Sequence, residues 1–455
     1  MFSLKNKNVL VVGLGISGRS AANFLIRRGA LVDAVDCNRK LLENDDNIAA
    51  LSTLGVSCCH EDDIKSIENY DLIVVSPGIP GTHRLIKSAS MQGIEVIGEV
   101  ELALRTVDEK RSILGVTGTN GKTTVVSMIA HVLNFAGIKA EAVGNIGIPL
   151  TFSIDQAPDV KVFVVELSSF QLETLHASSF HAGVCLNITP DHLDRYANME
   201  GYAKAKSRLQ NCLKQNGQFF VEEKAYHQFK TLFSSCLLYG YHPDCYIYTD
   251  TKSLYLKGDR QFALPQEYAG FKNHDLENLM AVYSLCHLYH IKNEDFLSAA
   301  ASFVKPHHRI EFVQTINGVT YYDDSKGTNV DAVISAVNRL VGEIILIAGG
   351  VDKGSSYTPW IKAFDGRVKA IFAIGKAADK IREELRGHLN VALCESLEQA
   401  VVNASNFAKQ GNIVLLSPGC SSYDMFKDYA HRGQEFQRIV NSLGHVQTNL
   451  KNGFK

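Results

Sequence analysis

Two short apolar runs of this 455-residue chain end directly in a glycine-rich turn and lead at once into a helix-forming segment: NVLVVGLGISG at 8–18 and SILGVTGTNGKTT at 112–124. A strand that is apolar at successive positions has no polar face to give to water, so both of its faces must be covered; a parallel sheet with helices on each side does this. Similar runs recur with room for one helix between neighbours. LVDAVD (31–36), YDLIVVSPG (70–78) and GIEVIG (93–98) continue the first series, and VKVFVVEL (160–167) and AGVCLNIT (182–189) the second. VTYYDDS, EIILIAGG (343–350), KAIFAIG (369–375) and NIVLLSPG (412–419) form a third. Two charged stretches, RTVDEKR (105–111) and KPHHRIE (305–311), separate the series. A single core rarely grows past roughly 250–300 residues, and the reading is three tandem α/β domains at 1–104, 105–305 and 306–455.

The charge balance narrows the function classes. With 46 basic and 48 acidic residues spread along the chain, there is no electrostatic footprint for nucleic acid or an anionic membrane. No run approaches the roughly 18 apolar residues of a membrane span, and glycine interrupts the first apolar run too early for a signal-peptide core. The ten cysteines form no CxxC pair, which predicts reduced thiols in a cytoplasmic protein and neither a disulfide framework nor a zinc site.

Gly118, Gly121, Lys122 and Thr123 stand between an apolar strand and KTTVVSMIAHVLNFAG, in which Val126, Ile129, Ala130 and Leu133 share a helical face and Gly137 marks a stop. Backbone N–H groups at such a junction can surround phosphate oxygens, while the lysine adds charge and a threonine hydroxyl reaches Mg²⁺. The spacing from Gly115 departs from the common P-loop, and a plain tight turn is the other reading; a Gly-Lys-Thr there has little packing rationale. Glu166, at the end of VFVVE, and His192, in NITPDHLDR, are expected at the carboxyl edge of the same sheet. A hard Mg²⁺ ion accepts the carboxylate readily and imidazole less usually. Taken singly, Glu166 has a weaker alternative reading as a strand-end charge and His192 one as a surface loop residue. GLGISG with Asp36 at the end of the next strand also fits a dinucleotide site, so a nicotinamide-dependent dehydrogenase is the rival from another reaction class. A GTPase is disfavoured because NKxD does not occur.

In order along nearly the whole chain, GLGISGRSAANFL, SPGIP, TGTNGKTT, GNIGIP, VVELSSFQL, NITPDHLDR, YAKAK, HHRIE, DDSKGTN, AGGVDKG and LLSPGCSSYDMF resemble the Mur ligases of peptidoglycan synthesis, and among them the branch that adds D-glutamate to UDP-N-acetylmuramoyl-L-alanine. The resemblance implies a Rossmann-like N-terminal domain, a P-loop-type central ATPase domain and a Rossmann-like C-terminal domain that close on their substrates through linkers near residues 105 and 305. It implies ATP and Mg²⁺ as cofactors, UDP-N-acetylmuramoyl-L-alanine and D-glutamate as small-molecule substrates, and no nucleic acid or stable membrane partner. ATP would be held by Gly118, Thr119, Asn120, Gly121, Lys122, Thr123, Thr124, Asn278, Arg309, Asp324 and Lys326, with Lys122, His192, Lys206, Arg309 and Lys326 catalytic. Thr123, Glu166, His192 and Lys206, the last as a carbamate, would hold the metal.

Ile16, Ser17, Asp36, Gly78, Asn145 and His192 would surround the UDP-sugar, and Thr328, Lys353, Ser422 and Tyr429 would hold D-glutamate. Asp275 stands where the family usually has asparagine, and Cys37 and Asn38 replace its usual residues after Asp36. Another branch, with a different amino acid, is the alternative. The diaminopimelate branch would show DNPR where this chain has GGVDKG, and the L-alanine branch usually has histidine in place of Asn120.

Overall fold

The structure is a computed structural model and describes residues 2–452 apart from Phe271 and Asp365. It contains three sheets. The first joins β1 (Asn8–Val12), β2 (Leu31–Asp36), β3 (Ser57–His60), β4 (Leu72–Val75) and β5 (Val96–Gly98) in the order β3-β2-β1-β4-β5, with every pair parallel. The order reverses on either side of β1, so the GLGISG turn leaves the sheet at the switch point where open α/β sheets admit ligands. All of β1 after its first residue is buried, as its two-sided apolar pattern requires.

The second sheet is larger than the sequence suggests. It orders β6 (Ser112–Thr117), β7 (Ala140–Gly144), β8 (Val162–Glu166), β9 (Phe180–Cys185), β10 (Leu213–Glu222), β11 (Leu237–Gly240), β12 (Ile247–Thr249), β13 (Ser253–Leu256) and β14 (Asp259–Ala263) as β14-β13-β12-β11-β10-β9-β6-β8-β7. Only the outer pairs β12–β13 and β13–β14 are antiparallel. The expected strands β6, β8 and β9 lie side by side near one end of it, followed only by β7. Those missing from the sequence reading, β7 and β10 to β14, are short or half polar, as LKQNGQFFVE in β10 illustrates. The third sheet runs β15 (Glu311–Ile316), β16 (Val319–Asp323), β20 (Ile413–Leu416), β17 (Ile344–Gly349), β18 (Val368–Ile374) and β19 (Val391–Leu393), with only β15 antiparallel to its neighbour.

Packing groups the chain into two compact units: residues 1–188 with 203–303, which carry the first two sheets, and residues 189–202 with 304–455, which carry the third. The first two sheets are tied by the helix Glu99–Leu104, all six residues of which are buried. Glu99 Oε1 accepts hydrogen bonds from the Thr151 N–H and Oγ1, both at 2.6 Å, and Glu101 Oε2 accepts from the N–H groups of His176 and Ala177. The charged stretch at 105–111 thus follows a glutamate clamp, and burial pushes the Glu99 carboxyl upward. No helix among the described residues is long and apolar enough to cross a membrane.

In the second unit, Arg432 at the start of helix Tyr429–Asn452 is 1% exposed and gathers two loop ends. Its guanidinium donates to Ser325 O at 2.9 Å, Ser325 Oγ at 3.0 Å and Cys420 O at 3.2 Å. Arg432→Met should therefore strand buried carbonyls and lower the stability of this unit by on the order of 3 kcal/mol. Urea denaturation followed by the emission of Trp360, the chain's single tryptophan, fully buried in this unit's core, checks it; an unchanged midpoint would refute the role.

Candidate active site

The loop between β6 and the helix Lys122–Phe135 is shaped by its two glycines. Gly118 has φ +147° and Gly121 φ +89°, conformations that side chains disfavour. A Cβ on Gly118 would lie 2.7 Å from Leu186 Cβ, and one on Gly121 would run into Asn278 Oδ1. Asn187 clamps the loop: its carbonyl and Oδ1 accept from the N–H groups of Thr119 and Asn120, both at 2.8 Å, and its Nδ2 donates to Asn120 O at 3.0 Å. Gly121 caps the helix without a side chain, so the first-turn N–H groups, with the buried Thr123 and Thr124, form an anion receptor.

Two lysines converge on this loop. Lys122 Nζ donates to Gly118 O at 2.9 Å and Thr119 O at 2.8 Å. Lys206, on helix Met199–Ser207 and only 1% exposed, donates to the same Gly118 O at 2.7 Å. Beside them β8 pairs with β6 so that Glu166 stands opposite Val116, at the sheet edge from which the loop departs. Glu166 is 3% exposed; Oε1 accepts from Asn145 Nδ2 at 3.2 Å, while the buried Oε2 has no hydrogen-bond partner. A buried carboxylate oxygen left in that state suits a cation, and the hard oxygen set of Glu166 and Thr123 fits Mg²⁺.

At the first glycine turn, Ile16 is exposed and Ser17 half-buried at the start of helix Ile16–Arg27, and Gly78 is exposed on the loop after β4. Ser76 Oγ donates to Gly13 O at 2.7 Å, holding the two loops at one edge. Asp36 works within the protein: Oδ2 accepts from Leu14 N at 2.8 Å and Oδ1 from Asn38 N at 2.9 Å, which stiffens the turn. Asn145 likewise serves Glu166.

In the second unit, Arg309 is flanked by two residues in left-handed conformation, His308 at φ +63° and Ile310 at φ +49°. A β-branched residue rarely adopts that conformation, and the turn is held by its surroundings. His308 Nδ1 lies 2.7 Å from Asp323 Oδ2, the His308 N–H donates to Glu311 Oε2 at 2.8 Å, and Lys326 N donates to His308 O at 3.2 Å. The Asp323 hydrogen bond raises the His308 pKa. Asp324, 6% exposed, accepts from Ser417 Oγ at 2.7 Å; burial pushes its carboxyl up to about 7, partly offset by that hydrogen bond and then by the charge of Arg309. Lys326 turns instead to Tyr429, with Nζ 3.2 Å from its hydroxyl and 4.7 Å over its ring.

Lys353 Nζ lies 3.1 Å from Asp191 Oδ1 and 3.5 Å from Thr328 Oγ1. Ser422 is buried beside the Val351–Ser421 bridge. His192 (φ +55°) packs in this unit, its N–H donating to Asp191 Oδ1 at 3.0 Å and its ring 6.3 Å from that of Tyr202. The structure thus brings Lys122, Lys206, Thr119 and Asn278 to one loop, joins Arg309, Asp324 and Lys326 through one pair of turns, and sets Lys353 beside Thr328. Sequence reasoning missed Asn187, Asp191, His308 and Asp323. All four lie inside or directly beside the motifs NITPDHLDR, HHRIE and DDSKGTN, but nothing in a motif says which side chain turns inward.

Comparison with known proteins matches residues 7–98 to the Mur ligase MurD-like N-terminal domain, 116–241 to the Mur ligase middle domain and 308–420 to the Mur ligase glutamate ligase domain. The chain is 50% identical over 438 residues to the UDP-N-acetylmuramoylalanine–D-glutamate ligase of Protochlamydia amoebophila, covering 96% of this chain and 98% of that one. It is 37% identical to the protein of the same name from Caldicellulosiruptor saccharolyticus, covering 97% and 100%. Among solved structures it shares its fold with the UDP-N-acetylmuramate-alanine ligase MurC of Thermotoga maritima (TM-score 0.61, 18% identity, 96% of this chain and 100% of that one) and with MurF of the same organism in complex with ADP (TM-score 0.59, 14% identity, 96% of each).

The raised pKa of Asp324 makes a pH prediction. A carboxyl whose folded-state value lies above the unfolded one favours the fold fully below about pH 4 and loses that contribution as pH rises through about 7. Asp324→Asn, which keeps an acceptor for Ser417, should flatten the fall in stability between pH 5 and 8, by up to about 3 kcal/mol. Urea midpoints read from Trp360 at both pH values check this; parallel pH profiles for parent and variant would refute it.

Proposed function

The chain belongs to the Mur ligase family, and on that premise we propose that it joins D-glutamate to UDP-N-acetylmuramoyl-L-alanine with hydrolysis of ATP to ADP and phosphate, in peptidoglycan precursor synthesis. The observation that carries the reading is the glycine loop on whose Gly118 carbonyl Lys122 and the buried Lys206 converge. A nicotinamide enzyme would use the GLGISG turn and leave this second loop without work. The domain division 1–104, 105–305 and 306–455 assigns one substrate to each part: the UDP-sugar, ATP and the amino acid. Since two of the three substrates are cellular nucleotides, we place the reaction in the cytoplasm.

A carboxylate is a poor electrophile. The terminal phosphoryl group of ATP passes to the carboxylate of the L-alanyl residue, giving an acyl phosphate and ADP; the amine of D-glutamate then forms the C–N bond at the carbonyl carbon, and the C–O bond to phosphate breaks. Both steps concentrate negative charge, so fixed cations and donors supply most of the stabilisation. Lys122 and the N–H groups of the first turn of its helix hold the phosphates, with Asn278 beside Gly121 at the edge of the loop. Arg309, Asp324 and Lys326 are assigned to the nucleotide, and the Arg309 guanidinium, which does not lose its proton, suits its phosphates. Thr123, Glu166, His192 and Lys206 as a carbamate would hold Mg²⁺. When bound, the metal neutralises charge on the phosphoryl oxygens. Ile16, Ser17, Asp36, Gly78, Asn145 and His192 position the UDP-sugar; Thr328, Lys353, Ser422 and Tyr429 position D-glutamate.

The test is ADP release with Mg²⁺, ATP and UDP-N-acetylmuramoyl-L-alanine, comparing D-glutamate, L-glutamate, L-alanine and diaminopimelate. Turnover with D-glutamate alone is expected; turnover with another acceptor would move the chain to a different branch, and none at all would overturn the reading. Lys206→Ala should lose about 100-fold or more in kcat and recover part of it with added formate or acetate. Full activity in that variant would refute the carbamate.

A further inference from the structure

D-glutamate brings two carboxylates and one ammonium to a site whose assigned groups include one cation, Lys353, and the hydroxyls of Thr328 and Ser422. These suit the carboxylates and leave the ammonium without a counterpart. A carboxylate that the sequence reading passed over stands beside them. Asp191 is 5% exposed, with Oδ1 3.1 Å from Lys353 Nζ and Oδ2 3.4 Å from Asn329 Nδ2. The loop that carries it lies backbone to backbone with the loop of Lys353: Asp194 N donates to Lys353 O at 3.3 Å, and a Cβ on Gly354 would come within 3.2 Å of Asp194 N.

We propose that Asp191 receives the ammonium of the acceptor amino acid, and that its pairing with Lys353 makes the site select an amino dicarboxylate over a dicarboxylate without an amine. The proposal rests on the D-glutamate ligase reading. Any carboxylate reaching Lys353 also comes within a few ångströms of Asp191, in surroundings that screen charge poorly. A bare dicarboxylate would crowd two anions onto one lysine. A zwitterionic amino acid brings its own cation, so the Asp191–Lys353 pair opens into two new pairs and no charge is left buried alone. Dicarboxylates without an amine cannot form the amide, and excluding them keeps the site from a dead-end complex.

Steady-state kinetics of Asp191→Asn test this. The variant keeps Oδ1 for the His192 N–H, removes the charge and gives up the long contact from Asn329 Nδ2 to Oδ2. The KM for D-glutamate should rise about tenfold or more, the KM for ATP should stay within about twofold, and competitive inhibition by glutarate should hold or strengthen. A purely structural role would weaken D-glutamate and glutarate together, and that result, or an unchanged KM for D-glutamate, overturns the proposal. If urea denaturation shows that this variant fails to fold, Asp191→Glu keeps the charge and displaces it by one methylene: the KM for D-glutamate should rise with glutarate inhibition unchanged, and parallel changes in both overturn the proposal. A parent enzyme that turns over no D-glutamate would sink the ligase reading itself, a result separate from either variant.

Discussion

The Gly118 carbonyl is the point on which the second glycine loop depends. It receives hydrogen bonds from Lys122 and from the buried Lys206, so two amines on different helices share one acceptor. That shared acceptor fixes where both side chains point at the mouth of the loop. The surrounding details serve it. Gly118 can present its carbonyl at a positive φ because it has no Cβ to meet Leu186, and Asn187 holds the loop open by taking up its N–H groups. Glu166 supplies the complementary element, a buried oxygen that protein donors leave for a cation. Loop, lysines and carboxylate therefore form one cluster of polar groups at the edge of the second sheet.

The second unit follows the same logic with the signs reversed. Asp191, Asp323 and Asp324 are buried carboxylates, each held by a different kind of partner: a lysine, a histidine and a serine hydroxyl. Asp323 and His308 secure the turn that carries Arg309 between two left-handed residues. A Cβ at Gly433 would run into the His308 ring, so the glycine is part of the same arrangement. Strain of this kind persists only when several contacts over-determine it; here they meet at a side chain assigned to the nucleotide. The same packing explains why Asp324 and Lys326, two residues apart, do different work. One turns into the core toward Ser417, and the other lies over the Tyr429 ring.

Much of the architecture could be read from the chain alone. Runs such as VLVV (9–12) and IILIAG (344–349) are apolar at every position because both faces of the strand are buried, and that pattern survives any detail of packing. Glycine loops at strand-to-helix junctions were legible for a similar reason, since backbone geometry demands glycine there. The edge strands of the second sheet were not. β10 mixes polar and apolar residues, and β12 to β14 are short, so their pairing is decided by neighbours distant in sequence.

The sequence by itself determined three α/β sheets, the two glycine loops and the family, because each rests on local geometry or on motifs whose order along the chain can be read directly. Only the tertiary structure decided the partners of the charged groups. It turned Asp36 toward Leu14, set Asn278 against Gly121, buried Lys206 on the Gly118 carbonyl and paired Asp191 with Lys353 across 162 residues of chain. A motif specifies that a charge is present; which opposite charge or carbonyl meets it depends on how the loops of a folded sheet converge, and sequence spacing carries no record of that.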